Sequence, residues 1–107
     1  MTVELGKIRS IEFGRGGYDD AMTGLTISLG GEGWATSDFR GTWSHRPEYA
    51  EWTEETQIRL WGEAVKFLDE LLVKAKVKTL SRLNGIPVEV TFEDQKLVKW
   101  RILEEVL

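Results

Sequence analysis

The stretch FGRGGYDDAMTGL, residues 13–25, contains residue types that could bind an anion or a planar ring. The backbone amides of Gly16 and Gly17 could hold an anion that also pairs with Arg15. The aromatic ring of Tyr18 could stack on a nucleic-acid base. The candidate binding residues of this stretch are Arg15, Gly16, Gly17, Tyr18, Asp19 and Asp20.

A purely structural role is the alternative for the same residues. A wide turn needs glycine for positive φ and aspartate for local hydrogen bonds to the backbone. The stretch also lacks the third glycine of a dinucleotide-binding turn and the Gly-Lys-Ser/Thr of a phosphate loop. The sequence therefore leaves open whether residues 14–24 form a binding loop or only a turn between two strands.

A second group of candidates follows in residues 34–46. The chain has five tryptophans, and those at positions 34, 43 and 52 are expected in or near loops, partly exposed. Tryptophan and tyrosine near an arginine are common anchors of protein interfaces, and aromatic rings also bind bases. These residue types favour a binding protein over an enzyme. The candidates in this segment are Trp34, Asp38, Arg40, Trp43 and His45.

Catalytic and metal sites find little support in the sequence. His45 is the only histidine, and its adjacency to Ser44 does not supply the spatial arrangement of a catalytic triad. The carboxylates at positions 19, 20, 32 and 38 could converge on Mg²⁺ or Ca²⁺, but their spacing matches no calcium loop and favours solvated side chains. We therefore predict no catalytic residue, no metal site and no cofactor.

Composition narrows the classes of partner. A formal net charge of −4 disfavours sequence-independent binding to nucleic acid, because that binding depends on basic residues releasing counterions. The chain has no cysteine, which excludes disulfides, thiolate nucleophiles and cysteine-ligated zinc. No apolar run approaches the roughly 18 residues of a membrane span, and the first residues do not resemble a signal peptide. We expect a cytoplasmic protein that does not bind membranes.

The elements that must position these residues begin with strands. Residues 3–13 alternate as a strand does, with a slip of the apolar phase near Gly6 that predicts a bulge there. In residues 24–30, Leu25, Ile27 and Leu29 alternate with polar residues. The GGEG at 30–33 then predicts a hairpin over residues 24–43. These three strands would form an antiparallel meander.

From residue 53 the apolar period becomes that of a helix, which we predict over residues 53–76. One apolar row consists of Ile58, Trp61, Val65, Leu68 and Leu72, and a second of Leu60, Ala64, Phe67 and Leu71. We expect Trp61, Val65, Leu68 and Leu72 to be buried against the sheet. The second row would then be uncovered, which predicts a possible homodimer.

The C-terminal part predicts a short helix over residues 79–83 and a second hairpin. Val88, Val90 and Phe92 would face the same side as Val98, Trp100 and Ile102, across the turn EDQK. The length and the order β-β-β-α-β-β predict a single α+β domain over residues 1–107, with an antiparallel sheet of about five strands and one long helix packed across one face.

The chain resembles small accessory proteins encoded in phage genomes. The likeness lies in the segment GGYDDAMTGL near the start together with the terminal LNGIPVEVTFEDQKLVKWRILEEVL. It implies a role in the conflict between phage and host, a class that includes anti-CRISPR proteins and other inhibitors of bacterial immunity. Such proteins bind a host protein or sequester a signalling nucleotide. We therefore expect a non-enzymatic inhibitor that contacts a host protein through residues 14–24 and 34–46, with binding of a small nucleotide as the alternative.

Overall fold

The computed structural model describes residues 1–16, 22–44 and 53–107. Within these residues the chain forms five antiparallel strands and one long helix, with short 3₁₀ turns at Leu80–Leu83 and Glu104–Val106. The elements are β1 (Thr2–Gly16), β2 (Met22–Gly31), β3 (Trp34–Ser44), α1 (Glu54–Ala75), β4 (Pro87–Glu93) and β5 (Lys96–Ile102). The predicted α+β class, element order and helix are confirmed.

The strands form one sheet in the order β3-β2-β1-β4-β5. The predicted meander of β1, β2 and β3 is confirmed. Strand β1 joins the two hairpins, because residues 2–7 pair with β4 and residues 7–16 pair with β2. Its irregularity lies between Ile8 and Ser10 in the pairing with β2, three residues beyond the bulge expected near Gly6. Gly6 itself pairs regularly with Val88.

The sheet curls, so that its two edge strands approach each other. The indole Nε1 of Trp100 on β5 donates a 2.7 Å hydrogen bond to Oδ2 of Asp38 on β3. Asp38 also pairs with Arg40, whose guanidinium group lies 4.4 Å from the centre of the Phe67 ring on α1. We call the region around Asp38, Arg40, Phe67 and Trp100 the seam. These contacts connect both edges of the sheet to the helix.

The core lies between α1 and the inner face of the sheet. The fully buried side chains of the sheet are Ile8, Leu25, Ile27, Leu29, Val88, Val90 and Ile102, joined by Leu83 of the first 3₁₀ turn. Helix α1 begins after Thr53, whose Oγ1 accepts a 3.1 Å hydrogen bond from the Thr56 amide. It ends at Lys76, which caps the helix in the left-handed conformation.

The predicted buried face of α1 is wrong in part. Ala64, Leu71 and Ala75 are the buried residues of the helix, and Leu68 and Leu72 are only half-buried. Trp61 is 43% exposed and Val65 is 65% exposed. The second row of the sequence pattern therefore faces the sheet, so the uncovered surface is not the one that suggested a homodimer.

The rotation of the helix follows from where it approaches the sheet most closely. Gly41 on β3 has φ 57°, and a Cβ atom placed there would lie 2.6 Å from the Leu60 carbonyl oxygen and 2.8 Å from the Ala64 Cβ. Helix and strand approach this closely only because the smallest residues meet. The large ring of Trp61 is thereby excluded from the point of contact.

The C-terminal hairpin turns at Asp94 and Gln95, which have φ values of 50° and 65°. Positive φ at both central residues is the geometry of a tight hairpin turn. An irregularity between Thr91 and Phe92 pairs Phe92 with Leu97. Val98 was expected to face inward with Trp100, but the extra residue at this irregularity leaves Val98 exposed and turns Leu97 towards the core.

The outer face of the hairpin carries the expected pair of opposite charges. Arg101 on β5 lies directly across from Glu89 on β4, and their side chains are 3.3 Å apart. Arg101 also donates two hydrogen bonds to the Glu105 carboxylate, of 3.0 and 2.9 Å. These bonds lower the pKa of Glu105 below its ordinary value.

The helix of the described part of the chain is not apolar enough to span a membrane.

Candidate functional site

An open groove of about 670 Å³ lies at the end of the sheet where β1 leads towards β2. We call it the β-tip groove. It is lined by residues 12–16 of β1, residues 22–24 and Thr26 of β2, and Phe39 and Thr42 of β3. Most of these residues belong to the outer face of the sheet, opposite α1. The groove is therefore built on strands, whose register is interrupted only by a bulge of β3 opposite Gly24.

Strand register explains why these side chains come together. Residues directly opposite each other in antiparallel strands share one face of the sheet. Glu12 pairs with Thr26, which pairs in turn with Phe39, so the three form a row across β1, β2 and β3. Gly14 pairs with Gly24 in the neighbouring position. The row of larger side chains therefore forms a wall beside a floor of glycine.

The floor of the groove consists of glycine and threonine. Side chains added at Gly14 and Gly16 would meet no atom within 4 Å, so this part of the floor is open. A Cβ atom at Gly24 would lie 2.7 Å from Oγ1 of Thr42, because the bulge that β3 makes opposite Gly24 brings Thr42 over it. The Thr42 hydroxyl oxygen is buried and has no hydrogen-bond partner among the described residues.

Phe39 is the largest side chain in the wall of the β-tip groove. It is 63% exposed, although it lies in the middle of a regular strand. Its neighbours along β3, Asp38 and Arg40, face the other way and belong to the seam. An aromatic ring in this position leaves a large apolar area in contact with water beside the glycine floor of the groove.

Arg15 and Gly16 are the predicted residues that line the groove. Both belong to strands, since Arg15 pairs with Thr23 and Gly16 pairs with Met22. The loop predicted over residues 14–24 is therefore too long at both ends. The other candidates of this stretch and the single histidine lie outside the described residues, namely Gly17, Tyr18, Asp19, Asp20 and His45.

The structure places Asp38 and Arg40 away from the groove. Both take part in the seam, where the carboxylate of Asp38 accepts hydrogen bonds from Trp100 and Arg40. Their positions indicate that they hold the sheet edges and the helix together. Asp38 lies in the middle of β3 and Glu32 in the β2–β3 turn, and the described residues contain no group of three potential metal ligands.

Neither Trp34 nor Trp43 lines the groove. Trp34 lies at the opposite end of β3, where its ring meets the edge of Phe92 at a centroid distance of 5.4 Å. Its indole Nε1 is buried with no partner among the described residues, close to Gly31. Trp43 is only 5% exposed, so the expected exposure of this residue is wrong.

Trp43 is buried because it lies between two other aromatic rings. Its ring centroid is 6.0 Å from that of Phe13 on β1 and 5.6 Å from that of Trp61 on α1. The contact with Trp61 is edge-to-face and that with Phe13 is tilted, with an angle of 46° between the rings, and aromatic contacts of these kinds stabilise a packed cluster. Trp43 therefore anchors the start of α1 to the sheet, while Phe13 and Trp61 remain partly exposed on either side of it.

Sequence reasoning missed Phe39 and Thr42. Both lie in the segment over residues 34–46 that was expected to contribute to binding, but neither was a candidate. The alternation of β3 contains the signal, since Asp38 and Arg40 share a face with the buried positions of β2 and Phe39 must then point outward. A phenylalanine on the solvent phase of a strand is the feature that could have identified the groove.

Comparison with known proteins gives no relative from which a function could be transferred. No protein-family model matches the chain, and no curated protein or solved structure matches it. The functional argument therefore rests on the geometry of the β-tip groove and the chemistry of its residues.

Proposed function

We propose that this chain is a non-enzymatic binding protein that contacts a protein partner through the β-tip groove, with Phe39 as the anchor. The observation that carries the proposal is the exposure of Phe39 in the middle of a strand, beside a floor of glycine and threonine. Aromatic anchors dominate the binding energy of many interfaces. A floor without large side chains lets a partner's backbone or side chain approach the sheet closely.

The shape of the groove favours a protein over a small molecule. Pockets for small ligands enclose most of the ligand surface, usually 70–90% or more. The wall residue Phe39 is itself mostly exposed, and the floor at Gly14 and Gly16 is open. A groove of this kind on the face of a sheet is suited to a protruding segment of a second protein.

The more specific form of the proposal is a phage-type inhibitor of a bacterial defence system, such as an anti-CRISPR protein. Its support is the resemblance of the sequence to small phage-encoded accessory proteins. Such a protein would act in the cytoplasm of the host by occupying a surface that the defence component needs. Binding alone is sufficient for this role, and no catalytic residue is required.

A small-ligand binder, for a nucleotide, is the second candidate. It is favoured by Arg15 at the β-tip groove. Arginine recognises phosphate through charge-assisted hydrogen bonds. In this case Arg15 would be more important than it is for a protein partner.

Affinity capture from a bacterial lysate with matched variants tests the two candidates together. Phe39→Ala removes the proposed anchor, and Val3→Ala removes an exposed apolar side chain on the same outer face but outside the groove. We expect a protein that is retained by the wild type and by Val3→Ala and lost with Phe39→Ala. Mass spectrometry of the eluate identifies both proteins and small molecules.

The outcomes separate the candidates. A nucleotide that is released on heating and lost with Arg15→Ala would support the ligand binder. Protein capture that is equally strong for the wild type and Phe39→Ala would contradict the proposal. Circular dichroism of each variant verifies that the fold is intact, which the exposure of all three side chains leads us to expect.

A further inference from the structure

One flank of α1 carries an apolar stripe. Ile58, Trp61 and Val65 are exposed by 54, 43 and 65%, and Leu68 and Leu72 continue the row half-buried, packed against the core. We call these five residues the α1 stripe. Their spacings are 3, 4, 3 and 4 residues, which is the repeat that lets one helix pack lengthwise against another. Ile58, Trp61 and Val65 are not among the residues that pack against the main core.

The charges at the two ends of α1 determine what fits the stripe. Glu54 and Glu55 lie in the first turn, Lys74 lies in the last turn, and Lys76 follows at the cap. A second helix with the same ends, placed antiparallel, brings its basic end beside the acidic end of the first. A parallel arrangement would place like charges together at both ends. The chain itself therefore supplies a complementary partner.

We propose that two copies of this chain associate through their α1 stripes, with the helices antiparallel about a twofold axis near Val65. In this arrangement each stripe covers the other, and Glu54 of each copy lies near Lys76 of its partner. A twofold axis requires the surface to be complementary to itself, and the antiparallel arrangement of these charges meets that requirement. The proposal is independent of the β-tip groove, which lies on the other side of the sheet.

Two features of the stripe prepare it for such contact. Trp61 is held by its edge-to-face contact with the buried ring of Trp43, so its exposed edge has a fixed position. Gly62 beside it has no neighbour that a side chain would meet, which leaves room for the partner helix to approach. Rigid aromatic rings lose little conformational entropy when they are covered.

The size of the stripe predicts a weak association. From Ile58 to Leu72 it extends roughly 20 Å along the helix, and a helix is about 10 Å wide. The area given by this length and width is well below the roughly 800 Å² that each partner buries in a stable interface of standard size. We therefore expect monomers in dilute solution and dimers as the concentration rises.

Sedimentation equilibrium from micromolar to millimolar concentration tests the association. We expect the apparent mass to rise from 12.2 kDa towards twice that value. Val65→Glu places a charge at the proposed axis and should abolish the rise. Val73→Glu is the matched control, because Val73 is 70% exposed on the same helix but lies outside the stripe. A constant monomer mass, or an equal effect of both variants, would overturn the proposal.

Disulfide trapping tests the direction of the helices. Because the chain has no native cysteine, any disulfide must join the introduced residues. Glu54 and Lys76 continue the row of the stripe at its two ends, four residues before Ile58 and four after Leu72. We therefore expect a mixture of Glu54→Cys and Lys76→Cys chains to form a mixed disulfide dimer. Glu54→Cys alone should form none, because its two thiols lie at opposite ends of an antiparallel pair. Rapid cross-linking of Glu54→Cys with itself would show parallel helices and overturn the proposal.

Discussion

The close approach of α1 to β3 at Gly41 predicts a large cost for a single methyl group. Gly41→Ala forces a residue with a side chain to keep a φ of 57°, which costs about 1 to 2 kcal/mol. The new Cβ would also lie 2.6 Å from the Leu60 carbonyl oxygen and 2.8 Å from the Ala64 Cβ. Overpacking of this kind costs about 1 to 3 kcal/mol, because the helix must move. The total expected loss is about 2 to 5 kcal/mol.

Gly33→Ala is the control that separates the two contributions. Gly33 has a φ of 80°, and a Cβ placed there would meet no atom within 4 Å. This variant therefore retains the cost of positive φ and lacks the collision with the helix. Urea unfolding followed by tryptophan fluorescence gives the free energy of unfolding of both variants. The difference between the two free energies of unfolding measures how closely α1 packs against β3.

A double variant locates the collision more closely. Ala64→Gly removes one of the two atoms that the new methyl group of Gly41→Ala would meet. The two substitutions should therefore cost less together than the sum of their separate effects. If Gly41→Ala costs no more than Gly33→Ala, the helix does not lie against Gly41, and the explanation given for its rotation is refuted.

Three further predictions concern the core, the seam and the C-terminal charges. In urea unfolding, Leu71→Ala should cost about 2 to 5 kcal/mol and Val65→Ala less than about 0.5 kcal/mol, because the first side chain is 4% exposed and the second 65%. The reverse order would mean that the face of the helix with Val65 packs against the sheet. Trp100→Phe removes the hydrogen bond to Asp38 and should cost about 1 to 2 kcal/mol, and an unchanged stability would show that the edges of the sheet are held by other contacts. The pKa of Glu105 is lowered by its hydrogen bonds with Arg101, so this ion pair stabilises the fold above the ordinary pKa of a glutamate and loses its effect as the pH falls. The stability of Glu105→Gln should therefore depend less on pH in the acidic range than that of the wild type. Identical pH profiles of the two proteins would contradict the assignment.

The fold could be predicted because local periodicity determines each of its elements. The alternation of Leu25, Ile27 and Leu29 indicates a strand, and the change to a period of 3.6 after residue 53 indicates the helix. The rotation of α1 could not be predicted in the same way. It depends on the contact between Gly41 and Ala64, and no local sequence pattern indicates which residues of two different elements are in contact.

The candidate site was predicted only in outline. The segment that ends at Gly16 and the strand that contains Phe39 were both expected to contribute to binding. Arg15 and Gly16 line the β-tip groove, whereas Asp38 and Arg40 lie on the opposite face of β3, in the seam. Asp38 is in fact bound to Trp100, 62 residues later, through the curl of the sheet. Contacts of this range depend on the curvature of the whole sheet, which the sequence does not display.

The binding constant of the captured protein for the wild type and for Phe39→Ala tests the central claim most directly. Isothermal titration with purified components gives both values, and Val3→Ala provides the control for a loss of exposed apolar surface. If Phe39 anchors the interface, its truncation should weaken binding by about 2 kcal/mol or more, which corresponds to roughly 30-fold. The control should change the constant by less than about twofold. Equal affinity of the wild type and Phe39→Ala would contradict the account of the β-tip groove as the binding site.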